Sequence, residues 1–182
     1  MLRHLLHRTI RRMERRFRYD AAYMHDLIDT SPAAMLKLAL VQGINTHCQG
    51  VPRPVWHAAR IVAARHEDCG PCTQLVVDMA LADGMEPHQV RAVVARDFAA
   101  MNTDVALGVR LAEAVAGATA ADQVRAEILA RFGEAGLTSL ALGIASARIF
   151  PTLKQTLGHA QSCARLNVRG EIVHMVGREH AA

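Results

Sequence analysis

From Ser31 onward the chain is a succession of Ala-, Val- and Leu-rich segments, cut repeatedly by helix start and stop signals. None of these segments alternates polar and apolar residues as a strand would. That pattern leaves little room for anything but helices. Ser31-Pro32 supplies an N-cap and a first-turn proline, and the helix it opens runs to about Gly43. Gly50, Pro52 and Pro54 mark a loop over 45–54. A helix follows from Val55 to about Arg65, and another from the cysteine pair at 69–72 to a glycine stop near Gly84. Pro87 opens a helix to about Ala99. Asn102-Thr103-Asp104 caps one to Gly117, and Thr119 caps one to about Phe132. The last runs from Thr138 to about Cys163 with a kink expected at Pro151. The tail is ambiguous: Val168 to Val176 reads as a short strand or an arm on a neighbour. The expectation is an all-α domain of about seven helices. It divides into an N-terminal basic arm (1–30), a helical domain (31–165) and a tail (166–182).

The apolar half of the 182 residues is mostly Ala, Val and Leu, with only 4% aromatic. No run of 18 uncharged apolar residues is present, so no transmembrane helix and no membrane partner is expected. The formal charge of +4 is concentrated at the start, where residues 1–18 hold seven Arg against Glu14 alone. The body carries no basic stripe, which argues against a dedicated nucleic-acid domain. Leu5, Leu6, Ile10, Met13 and Phe17 recur at helical spacing in that basic segment. It reads as a solvated helix resting one face on the body or on a partner subunit. A membrane-surface or nucleic-acid contact and an organelle transit peptide are the alternatives. No secretory apolar region opens the chain, and Cys48, Cys69, Cys72 and Cys163 are too few for a disulfide scaffold. The cytoplasm is the expected compartment.

The chemistry concentrates in His66-Glu67-Asp68-Cys69-Gly70-Pro71-Cys72. Asp68 reads as an N-cap and Pro71 as a first-turn residue, which sets both cysteines at the electropositive mouth of a helix. There a thiol's ordinary pKa of about 8.5 can fall to roughly 3.5–7.5. A thiolate attacks a disulfide sulfur or a peroxide oxygen. In the latter case the sulfenic acid formed is closed to a disulfide by a neighbouring thiol. An external dithiol must then reopen it. Zinc needs about four ligands. No second C-x-x-C exists, although His57, His66 and Glu67 are near in sequence. Covalent haem needs His where Thr73 stands. Inert core thiols are the remaining alternative. Neither a metal nor a cofactor is expected. Cys-Gly-Pro-Cys is also the thioredoxin tetrapeptide, but the helical "VWHAARIVAAR" before it does not fit a thioredoxin βαβ setting.

The segment "HAARIVAARHEDCGPCTQLVVDMALADGMEPHQVRAVV" resembles the carboxymuconolactone decarboxylase / alkylhydroperoxidase D (AhpD) superfamily. The later "FGEAGLTSLALGIASARIF" is similar to that family's closing helix. The resemblance spans roughly residues 31–165. It implies an all-helical fold, homo-oligomers (trimers or hexamers), and thiol-dependent reduction of hydroperoxides by a C-x-x-C dithiol. A dithiol, thioredoxin-like or lipoyl reductant would recharge it. The AhpD pattern, Glu-x11-Cys-x-x-Cys-x-x-x-His, places its cysteines on Cys69 and Cys72, its Glu on His57 and its His on Val76. By resemblance Cys72 is peroxidatic and Cys69 resolving. Val76 cannot move a proton. His57 can, and it is the candidate base for Cys72. His66, Glu67 and Asp68 are candidate supporting residues, the two acids chiefly as helix caps. Cys48 and Cys163 match nothing in the motif and read as small buried apolar residues. Two alternatives stand beside the peroxidase: a carboxymuconolactone decarboxylase-like lyase with bystander cysteines, and a non-enzymatic redox sensor.

Overall fold

The computed structural model describes residues 1–161 and 165–176, and among these the protein is helical apart from one small C-terminal hairpin. The eight helices are α1 (Leu2–Phe17), α2 (Ala22–Thr30), α3 (Pro32–Ile44), α4 (Arg53–Arg65), α5 (Gly70–Ala82), α6 (Pro87–Ala95), α7 (Thr103–Ala116) and α8 (Asp122–Thr156). Strands β1 (Arg165–Val168) and β2 (Glu171–His174) pair antiparallel, with Val168 opposite Glu171. Their turn places Arg169 and Gly170 both at positive φ, as a two-residue hairpin turn demands. Gln74 of α5 holds the hairpin in place. Its Nε2 donates to the Asn167 carbonyl (2.9 Å) and its Oε1 accepts from the Asn167 N–H (2.8 Å).

The centre of the fold is α4. Every residue from Val55 to Ala64 is buried, so this helix is enclosed on all sides. It packs against α5, α6, α7 and α8. Small residues make the enclosure possible. Ala58, Ala59, Ala63 and Ala64 present little bulk, and glycines face α4 from two neighbours. A Cβ on Gly108 of α7 would lie 2.9 Å from the Val55 carbonyl oxygen. One on Gly143 of α8 would lie 2.7 Å from Trp56 Nε1. A second, smaller core joins α1, α2 and α3 to the body. Ile10, Tyr19, Tyr23, Met24, Ile28 and Met35 pack there against Leu75 of α5 and Phe150 of α8.

Several boundaries differ from those read in the sequence. The N-terminal 30 residues form two helices, because Arg18 turns left-handed (φ 49°) and ends α1. Ser31 does cap α3, its Oγ accepting from the Ala34 N–H at 3.2 Å. Helix α6 stops at Ala95 rather than near Ala99. Arg96 is left-handed there, and Asp97 Oδ1 accepts from the N–H groups of Ala99 and Ala100. Thr119 caps no helix; its Oγ1 donates back to the Ala114 carbonyl, and α8 starts after Ala121. The backbone within α8 breaks at Gly133 (φ 65°, ψ −173°), where a helix end is expected near Phe132, and its second part runs on through Pro151 to Thr156, short of Cys163. Cys163 itself lies outside the described residues. By length and composition alone α8 contains a stretch apolar enough to cross a membrane. It is also tied into the chain by Ser139 and Ser146, which bond to Gln49 and Asn45.

Gly108→Ala tests the enclosure of α4. Overpacking costs about 1–3 kcal/mol, against roughly 1 kcal/mol gained in helix propensity. The urea unfolding midpoint is expected to fall. A midpoint equal to or above wild type would mean that α7 does not rest on the Val55 backbone.

Candidate active site

The site is built where α4 turns into α5. His66 ends α4, and its imidazole lies against Gly117 at the end of α7. Glu67 accepts from Arg148 Nε and Thr152 Oγ1, which anchors the turn to α8. Asp68 is exposed and left-handed (φ 48°), and it is not the N-cap. That position belongs to Cys69, whose backbone is extended, and no side chain caps the helix. The expected capping roles of Glu67 and Asp68 are therefore corrected. Asp68 sits one residue too early, and Glu67 is committed to an ion pair. The register moves by one: Gly70, Pro71 and Cys72 are the first three helical residues, with Cys69 just outside.

Cys69 and Cys72 form a disulfide, with Cα atoms 5.2 Å apart. Both are nearly sealed, Cys69 at 1% and Cys72 at 3% exposure. The Gly70 N–H, which has no partner within its own helix, donates to the Gln161 carbonyl at 3.1 Å. That sets Gln161 over the start of α5.

Cys72 lines a small, partly open cleft; Cys69 does not line it. One wall comes from the α1–α2 corner, with Met13, Tyr19, Tyr23 and Met24. A second is the inner face of α5 with Leu75, Val76 and Met79, and Phe150 of α8 closes a third. The Tyr19 hydroxyl lies 3.8 Å from Cys72 Sγ. A disulfide sulfur bears no proton, so the phenol is the donor of this weak contact. Burial pushes the Tyr19 pKa up; the neighbouring Tyr23 hydroxyl opposes that and Asp20 adds to it. Tyr19 thus stays a neutral donor at physiological pH. Buried Lys154 sits beneath both phenols, its Nζ 4.9 Å from the Tyr19 ring centre and donating to the Asp20 carbonyl at 3.2 Å.

Among the described residues Arg60 is the one charged member of the cleft, beside the polar Gln42 and Asn45. It is 3% exposed, stacks on Trp56 with Cζ 4.2 Å from the ring centre, and donates from Nη2 to Asn45 Oδ1 at 2.7 Å. Its Nε makes no hydrogen bond. Burial lowers its pKa to about 10, despite opposing attraction from Asp83 and Cys48.

His57 is buried but turned to the other end of α5. Its Nε2 bonds Asp83 Oδ2 at 2.9 Å, and Arg53 pairs with the same carboxylate. Asp83 follows Cys72 by eleven residues on the same helix, roughly 16 Å along its axis at a rise of about 1.5 Å per residue. The structure does not bring His57 to Cys72, and the nearest polar side chain is Tyr19 instead. Cys48 is a free, half-buried thiol donating to the Val51 carbonyl at 3.6 Å, its pKa raised by burial. Among the described residues no group of three or more His, Cys, Asp or Glu side chains is arranged to hold a metal.

Sequence reasoning missed Tyr19 and Arg60. Arg60 carried a signal, being the one charge inside "VWHAARIVAA", where its neighbours are all small, apolar or aromatic apart from His57. Tyr19 carried none, since only the fold of residues 1–30 brings it to the sulfur. No family model matches the chain, and no curated protein or solved structure shows a match to it.

The pKa of His57 is lowered, first by burial and then by Arg60 and Arg53, while Asp83 opposes the shift. The unfolded chain, with an ordinary histidine pKa near 6.5, therefore takes up this proton more readily than the folded one. Stability is expected to fall as pH drops from 7 toward 5, and His57→Gln should flatten that fall. Urea midpoints at pH 7 and 5 check it. An unchanged pH difference in the variant would assign the loss to other groups.

Proposed function

We propose that the protein is a thiol-dependent peroxidase of the AhpD type, reducing hydroperoxides through Cys72 and Cys69. The observation that carries this reading is the Cys69–Cys72 disulfide at a helix start, with Cys72 alone of the pair lining a largely apolar cleft. In the reduced protein the Cys72 thiol ionises, favoured by the helix start. The thiolate attacks the terminal oxygen of a hydroperoxide ROOH. The O–O bond breaks, an S–O bond forms, and Cys72 becomes a sulfenic acid. The alkoxide RO⁻ takes a proton from Tyr19, which recovers the one Cys72 lost. The Cys69 thiol then attacks the Cys72 sulfur, forming the disulfide and expelling the hydroxyl as water with the Cys69 proton. One hydroperoxide and two thiols give one alcohol, one water and one disulfide. An external dithiol, thioredoxin-like or lipoyl, reduces the pair again by exchange. In this reading Tyr19 takes the proton-transfer part first assigned to His57. The cytoplasmic setting and the trimeric or hexameric assembly implied by the resemblance belong to the same proposal.

Cys72→Ser should lose hydroperoxide consumption by about 10²-fold or more. Cys69→Ser should stop after one turnover and leave a sulfenic acid on Cys72 that dimedone traps. Consumption by Cys72→Ser at the wild-type rate would reverse the assignment of roles. Tyr19→Phe should slow consumption roughly 10²-fold and move the pH–rate profile, the low end of what proton transfer contributes. A profile that superimposes on wild type would leave Tyr19 as packing only.

A further inference from the structure

Arg60 is unusual in its surroundings. A guanidinium taken out of water is costly unless it is paired. Among the described residues Arg60 forms no ion pair; its one hydrogen bond goes to the neutral Asn45. Asn45 Oδ1 is shared, also accepting from Ser146 Oγ at 3.2 Å. The nearby carboxylate, Asp83, is held by His57 and Arg53. Arg60 and Asn45 both line the cleft beside Cys72, and Arg60 Nε has no partner. Gln42 and the phenols of Tyr19 and Tyr23 are the other polar members, and the remaining wall is apolar. Met13, Met24 and Met79 supply side chains that adapt to a ligand's outline, and Leu75 and Phe150 complete it. The cleft therefore joins one desolvated cation to a flexible apolar lining. This is the arrangement that holds an amphipathic anion, since a charge-assisted hydrogen bond gains strength where water is excluded.

We infer that the cleft binds organic acids, the carboxylate on Arg60 and the hydrocarbon body along the methionine-lined wall beside Cys72. The binding itself is independent of the redox chemistry. Its consequence for substrate class rests on the peroxidase reading: the hydroperoxides reduced are those of carboxylic acids, such as fatty-acid hydroperoxides, rather than hydrogen peroxide or neutral alkyl hydroperoxides.

Octanoate, octanol and octylamine probe the site directly on the oxidised wild-type protein, where no turnover occurs. Trp56 is the single tryptophan and stacks on Arg60, so its fluorescence reports occupancy, with calorimetry as a second readout. Octanoate should bind about tenfold or more tightly than octanol, and octylamine weakest. Arg60→Met should bring octanoate and octanol to similar affinity, while Arg60→Lys keeps part of the preference. If octanoate fails to bind, binds no better than octanol, or keeps its preference in a folded Arg60→Met, the inference is overturned. The wild-type series alone decides the matter if that variant does not fold. Octanoate binding without any hydroperoxide consumption would remove the peroxidase and leave the acid site. Consumption without octanoate binding would do the reverse.

Discussion

The structure depends on enclosing α4 completely. A helix buried on every face needs neighbours close to its backbone on every face, and only small residues at the contacts permit that. Gly108 against the Val55 carbonyl and Gly143 against Trp56 are two contacts where a Cβ would not fit. Once α4 is fixed this way, the turn at its end has little freedom. Glu67 is held by Arg148 of α8 and His66 lies against Gly117 of α7, so the start of α5 is placed by three helices at once. The cysteine pair sits on that start. Its position follows from packing around α4 and not from any bond that the sulfurs make.

The same enclosure explains the character of Arg60. A cation in the middle of a wrapped helix loses its hydration, and here it is compensated by the Trp56 ring, by Asn45 and by the cleft. These contacts do not fully offset the desolvation, as the lowered pKa records. Leu or Met at this position would pack the same space at lower cost. Arg60 thus stands at the centre of the fold at a cost in desolvation, in the wall of the cleft that Cys72 also lines.

Where the sequence spoke clearly, it did so through residues with local geometric consequences. Ser31-Pro32, Pro87 and the Gly-Pro within the C-x-x-C each restrict their own backbone; α3 and α6 begin where they should, and α5 begins one residue later. The helix ends were harder because tertiary contacts set them. Asp97 turning back on Ala99 and Ala100 ended α6 early, and while the break after Phe132 falls at Gly133 as expected, Pro151 stays within the helix, which stops at Thr156. In the site, the sulfur pair was legible from its spacing and the cleft was not. Tyr19 is more than fifty residues from Cys72 in sequence, and nothing in "RFRYDAAY" indicates that it reaches a sulfur. His57 failed in the opposite way. Aligned to the AhpD pattern it occupies the position of a relay residue, but Asp83 offers it a closer partner at the far end of α5.

The basic N-terminal segment is thereby given a different part. Its arginines face solvent, but its inner face is structural, and Ile10, Met13 and Phe17 pack into the second core. A chain of side chains fixes the angle between α1 and α2. Glu14 accepts from His25 Nε2 at 3.3 Å and from the Ala21 N–H at 3.2 Å. The rings of His25 and His7 stack with their Nδ1 atoms 2.7 Å apart, and His7 Nε2 reaches Asp29 at 3.0 Å. Tyr19 and Tyr23 project from the corner that this chain holds, toward Cys72 and over Lys154. The helix pair is thus the wall that gives the sulfur its neighbouring phenol and gives the cleft its apolar depth. A C-x-x-C at a helix mouth is chemically competent anywhere that a thiolate is stabilised. What this chain adds, through residues 1–30, is a cleft wall that sets a buried phenol beside that sulfur.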